Sequence, residues 1–248
     1  MLCEKEVLTM PCLHKVKCAV CHTECEAEEF FILAGVLDDI AFDQDTDPGD
    51  LAGGEFWQSD PISVCPHCGY VAPDLSEAPS DPAAIEILKT EAYKNANNIA
   101  FENKLAKLYY QRSMLVASDP IAKCQNLLFA AWACDKNIDT DNAVLMRRKA
   151  LVPLNEILAK RIGFENHYPV EDHLAGLMLI KLDLLRRAAL FEEFEEEYEK
   201  LMEHPLTARD DNHVKDLYWF IDYMHTLTVE KDTGCKISID SFKHAFRF

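Results

Sequence analysis

The chain has 248 residues, ten of them cysteine, a formal net charge of −18, 49% hydrophobic and 27% charged residues. That length admits one large domain or two modest ones, with enough apolar content for a real core. The negative field repels phosphate backbones and anionic lipid surfaces, which argues against nucleic acid and membranes as partners. No stretch reaches the ~18 consecutive apolar residues of a spanning helix. Residues 1–7 are charged and residues 8–12 lack an apolar run, so no export signal is expected and the protein is expected to be cytoplasmic.

Seven of the ten cysteines fall within the first 68 residues, and four of them form two Cys-x-x-Cys pairs. In a reducing compartment such pairs point to metal binding or redox chemistry rather than to a disulfide framework. The pairs are Cys18-Ala19-Val20-Cys21 and Cys65-Pro66-His67-Cys68-Gly69. Each curl of backbone turns two sulfurs toward one point, and two curls together make the tetrahedral cage that Zn²⁺ prefers. Pro66 stiffens the second turn, and Gly69 permits the positive φ that such a turn needs. Cys18, Cys21, Cys65 and Cys68 are therefore the expected metal ligands. Four thiolates leave no open coordination position, so the metal's role is structural rather than hydrolytic. Iron in a rubredoxin-like cage uses the same ligands and is the alternative to zinc.

Residues 1–72 thus read as a small metal-stapled module, zinc-ribbon-like and α+β. Its neighbours Cys3, Cys12, His14, His22, Cys25 and His67 could serve a second metal or replace one ligand of the first, but no second quartet has comparable spacing, and spare thiols and imidazoles are the favoured reading. The acidic loop Asp43-x-Asp45-x-Asp47 misses the Gly and Glu positions of a calcium loop and reads as a solvated turn. Residues 73–82 are proline-rich and polar and read as a linker, with Asp81 capping and Pro82 opening the helix that follows.

From residue 83 to 248 helical periodicity takes over. Helices are expected at 83–96, 99–117, 120–135, 141–161, 170–187, 190–203 and 209–230. Asp119-Pro120 repeats the Asp-Pro start, and Thr140 precedes the fourth helix. His204-Pro205 closes one helix, and Gly234 follows the last. Pro153 is expected to kink or break the fourth helix. Leu105, Leu108, Tyr109, Arg112 and Leu115 form one stripe; Leu127, Leu128, Ala131, Trp132 and Cys134 form the next. Leu177, Ile180, Leu184 and Leu185 form a third stripe, paired with a fourth of Phe191, Phe194, Tyr198 and Leu201. Short links favour antiparallel hairpins, and stacked hairpins bury what one hairpin leaves exposed.

Lys17-Cys18-Ala19-Val20-Cys21, Asp45-Thr46-Asp47, Val64-Cys65-Pro66-His67-Cys68-Gly69-Tyr70, Ala130-Ala131-Trp132 and the run from Leu184 to Phe194 resemble a bacterial domain family of unknown function. In that family an N-terminal pair of zinc knuckles precedes tetratricopeptide-like helices. The resemblance implies metal binding and helical packing, and no known reaction.

The remaining polar clusters have plain structural explanations. His167, Glu171, Asp172 and His173 sit near a helix start, where acids complement the dipole, as do Asp210, Asp211 and His213. Glu192, Glu193, Glu195, Glu196 and Glu197 form the wet face of an amphipathic helix. Tyr218, Trp219, Phe220 and Tyr223 read as core. No phosphate loop, nucleophile elbow or His-Glu-x-x-His pattern occurs. The expectation is a mainly α, non-enzymatic interaction protein: a Cys₄ zinc site and a helical surface for a protein or peptide partner. An iron redox protein is the alternative; a metalloenzyme built from distant histidines and a nucleic-acid reader rank below it. Oligomeric state is not legible.

Overall fold

The structure is a computed structural model that describes residues 12–30, 33–34, 57–58, 62–96, 98–162, 171–203 and 212–234. Among these residues the chain is mainly helical, with eight helices and two small antiparallel sheets. The acidic loop at 43–50, His167, His204-Pro205, Asp210, Asp211 and the side chains of Cys12, Glu171, Asp172, His173, His213, Trp219 and Phe220 lie outside the described part. No described helix is long and apolar enough to cross a membrane.

The chain forms two compact units that divide between Met146 and Arg147. In the first, β1 (Cys12–Lys17) and β2 (Glu24–Phe30) make one hairpin, and β5 (Ile62–Val64) and β6 (Val71–Ala72) make another. β2 pairs with β5 through Glu29–Ser63 and Phe30–Ile62, giving a four-stranded sheet in the order β1-β2-β5-β6. β3 (Leu33–Ala34) and β4 (Trp57–Gln58) form a separate pair. All regular structure described before residue 73 is strand, so the α+β expectation for the module is met here only in its β part.

Helices α1 (Ala84–Lys89) and α2 (Glu91–Ala96) replace the single helix expected at 83–96. The break is at Thr90, whose ψ of 148° is extended. Its hydroxyl accepts from Tyr93 N at 3.2 Å, so the break is also a cap for the next helix. Helix α3 (Lys104–Leu115) starts later than the expected residue 99, because Asn103 is its cap: Oδ1 accepts from Leu105 N at 2.8 Å. The Asn103 amide also donates to Ala133 O of α4 (Pro120–Lys136) at 3.2 Å. Asp119 and Pro120 start α4 as the sequence predicts, with Asp119 Oδ1 accepting from Ile121 N and Ala122 N.

The expected stripes are the core of this unit except for Arg112 and Leu128, which are half-buried. Leu105, Leu108, Tyr109 and Leu115 are buried, as are Leu127, Ala131, Trp132 and Cys134. Phe129 lies between Tyr109 and Trp132, with ring centroids 5.2 and 5.3 Å away. Offset aromatic contacts of this kind add ~0.5–1.5 kcal/mol each to the burial itself. α3 packs on β5 and β6, and Lys104 bonds Glu28 of β2 while lying 4.5 Å from the Phe30 ring.

The segment 73–82 is part of this packing. Leu75 is fully buried, and its carbonyl accepts from Ala19 N at 2.8 Å. Asp81 Oδ1 accepts from Ala83 N and Oδ2 from Ser118 N, each at 2.9 Å, joining the start of α1 to the α3–α4 turn. A linker would expose these groups to water; here they are used, and α1–α4 belong to the same compact unit as the knuckles.

α5 (Thr140–Ile162) runs through Pro153 without a break, which removes one of the two expected outcomes, a kink or a break. Pro153 has no amide to offer Lys149 O, so one rung of the ladder is lost. Buried Ala150, Leu151, Leu154, Ile157 and Leu158 flank it and anchor the helix on both sides. The cap position falls on Asp139 rather than Thr140: Asp139 accepts from Asn142 Nδ2 and Glu102 N.

The second unit holds the rest of α5, α6 (Glu171–Arg187), α7 (Phe191–Glu203) and α8 (Asn212–Val229). α6, α7 and α8 pack against one another, with Leu184, Phe194 and Met224 fully buried. Lys181 of α6 pairs with Glu197 of α7 at 2.7 Å. Tyr198 stacks on His225 at 4.2 Å, and His225 Nε2 lies 3.0 Å from Glu195. Arg186 is fully buried; it pairs with Asp183 at 2.7 Å and donates to the carbonyls of Asp232 and Gly234.

Candidate metal centre

Each Cys-x-x-Cys is the loop of a β-hairpin, and the loops have the same backbone pattern. Cys18 N donates to Thr23 O at 3.0 Å and His22 N to Cys18 O at 2.9 Å. In the second loop Cys65 N donates to Tyr70 O at 2.8 Å and Gly69 N to Cys65 O at 2.9 Å. Both turns close through a residue with positive φ, 59° at His22 and 76° at Gly69. Because β5 runs antiparallel to β2, both loops project from the same end of the sheet.

That arrangement brings together all four cysteines named from the sequence. The sulfurs of Cys18, Cys21, Cys65 and Cys68 lie within 4.8 Å of one another. Cys18–Cys68 and Cys21–Cys65 are each 3.7 Å apart. A tetrahedral ion with ~2.3 Å metal–sulfur bonds puts its sulfurs ~3.8 Å apart, whereas a disulfide requires ~2.05 Å. The four are free thiols in an array that can hold a metal ion.

Without an ion Cys18, Cys21 and Cys68 are shifted in different directions. The Thr23 hydroxyl and then its amide hold the Cys21 thiol down to about 6. Burial pushes Cys18 and Cys68 up. A metal that binds four thiolates must displace the protons of Cys18 and Cys68. Cys18 and Cys65 are buried, while Cys21 and Cys68 are half-buried.

The supports of the second knuckle were not legible as such. Tyr93 of α2 donates its hydroxyl to Gly69 O at 2.7 Å, and Arg112 of α3 donates to Val71 O at 3.2 Å. Burial raises the Tyr93 phenol, which keeps it a donor. Tyr93 is the one aromatic residue of its short helix, and that was its one signal.

Of the other groups in the module, Cys25 donates its thiol to Val16 O at 3.7 Å, and His22 and His67 are exposed. Among the described residues the Cys₄ cluster is the one group of three or more potential ligands within binding distance. No known protein family, curated protein or solved structure matches the chain.

Proposed function

We propose that the protein is a non-enzymatic interaction protein whose N-terminal module is held by a structural Zn²⁺ on Cys18, Cys21, Cys65 and Cys68. The observation that carries this reading is the meeting of four sulfurs at tetrahedral spacing on two equivalent turns. Four protein ligands complete the coordination of zinc and leave no site for water or substrate. The short strands of the module bury little on their own, and the metal supplies the missing stabilisation. Free thiols in this number suit a reducing compartment, which supports a cytoplasmic location. The hairpin α6–α7, joined by Ala188-Ala189-Leu190, supports a tetratricopeptide-like arrangement that presents a surface to a protein or peptide partner. The resemblance to the bacterial zinc-knuckle family belongs to the same proposal.

Iron in the same cage is the second reading. The half-exposure of Cys21 and Cys68 supports it, since an electron-transfer centre needs an edge near solvent. Metal analysis and colour separate the two: zinc gives a colourless protein, ferric iron on four thiolates a red one. Finding neither metal in protein purified without chelator refutes both.

A further inference from the structure

The Cys₄ cluster has a second property besides its geometry. Its cysteines alternate in burial: Cys18 and Cys65 are 0% and 1% exposed, while Cys21 and Cys68 are half-buried. The two 3.7 Å approaches each join one half-buried cysteine to one buried cysteine, and each crosses from one knuckle to the other. We propose that this cluster is a peroxide-sensitive clasp that closes as disulfides between the knuckles, Cys18–Cys68 and Cys21–Cys65, releasing its metal. The inference rests on the metal-site reading for the release, but the disulfide pairing stands on sulfur geometry alone.

The chemistry needs one hydroperoxide per disulfide. The thiolate of half-buried Cys21 or Cys68 attacks the peroxide oxygen; the O–O bond breaks, the sulfur becomes a sulfenic acid, and the alkoxide or hydroxide that leaves takes up a proton from water. The buried thiolate across the gap then attacks that sulfur, forming the S–S bond and expelling hydroxide, which takes up a proton as water. Two thiolates have lost two electrons, the peroxide has gained them, and the ion has lost two ligands. The sulfurs need to close by ~1.7 Å to reach disulfide length. The cysteines that must be attacked first are the less buried pair, and the resolving cysteines, Cys18 and Cys65, are shielded from direct oxidation. The new bonds span 50 and 44 residues, so the knuckles stay joined after the ion has left.

The test uses the full chain as purified, with its metal equivalents measured first. Hydrogen peroxide is added in steps, metal release is followed with a chromogenic chelator, and free thiols are blocked. Digestion after Glu24 and Glu55 separates the two knuckles and removes Cys25 from the first. The expected result is loss of one metal equivalent, together with a pair of peptides linked through Cys18–Cys68 or Cys21–Cys65. Dimedone present during oxidation should label Cys21 or Cys68 first. Disulfides confined within a single Cys-x-x-Cys, first labelling at Cys25 or Cys124, or resistance of all four thiols to a tenfold peroxide excess would overturn the inference. A chain that arrives without metal refutes the zinc and iron readings, and the peptide map still decides the pairing.

Discussion

His22 and Gly69 occupy the same place in the two knuckles. Each follows the second cysteine of its pair, each has φ in the left-handed region, and each amide donates to the carbonyl of the first cysteine. Glycine takes that conformation freely, whereas a residue with a Cβ is strained there by ~1–2 kcal/mol. Histidine is among the residues that enter this region more often than most.

The two positions should therefore respond oppositely to exchange. His22→Gly should raise stability by up to ~1 kcal/mol, and Gly69→Ala should lower it by ~1–2 kcal/mol. At Gly69 the cost is conformational, since a Cβ would meet only Tyr93 Cε1, at an ordinary 3.9 Å. Urea midpoints of the two variants check the sign at each site; equal effects would show that the turns are not equivalent.

Tyr93→Phe removes the hydrogen bond to Gly69 O and little else. The expected loss is ~1 kcal/mol of stability. Groups that orient a ligand's backbone also affect the ion, and a loss of ~10-fold in metal affinity is expected by competition with a chelator. Unchanged affinity would show that α2 supports the fold but not the site.

Asp81 makes stability depend on pH in one direction. The Ser118 amide, and then that of Ala83, hold its carboxyl below the usual carboxylate range. The folded pKa is thus lower than the unfolded one, so this contribution is fully present above the ordinary aspartate value and is lost as pH falls through the folded value. Asp81→Asn should flatten that part of the stability curve at acid pH relative to the parent. Parallel curves would place the linkage elsewhere.

Trp132 is 7% exposed, with an indole nitrogen that is buried without a partner. Trp132→Ala should cost ~3–5 kcal/mol by leaving a cavity beside Phe129. Trp132→Phe should cost clearly less, because it keeps most of the ring volume and removes an unsatisfied donor. Chemical denaturation of the pair checks the ranking; a phenylalanine variant as weak as the alanine one would mean that the donor has a partner in solution.

The sequence spoke most clearly where chemistry is local. Spacing within each Cys-x-x-Cys was enough to name four residues that the fold brings together, and Asp119-Pro120 marked its helix start to the residue. It was silent where the determining contact is distant. Nothing near Thr90 says that the helix must break so that Tyr93 can meet Gly69, and nothing near Pro153 says that buried neighbours will hold a helix through it. The polar, proline-rich composition of 73–82 suggested a tether, yet Leu75 and Asp81 are committed to partners 56 and 37 residues away in sequence. Helix ends were obscured for another reason: Ile138, Ala189 and Lys231 take the left-handed cap position that glycine signals, with φ of 59°, 54° and 55°.

Metal equivalents per chain, measured by elemental analysis in the parent and in Cys65→Ser and Cys68→Ser, address the central claim most directly. One equivalent in the parent, lost in both variants while most helical circular dichroism remains, is the predicted result. A parent without metal, or variants that retain a full equivalent, would contradict it.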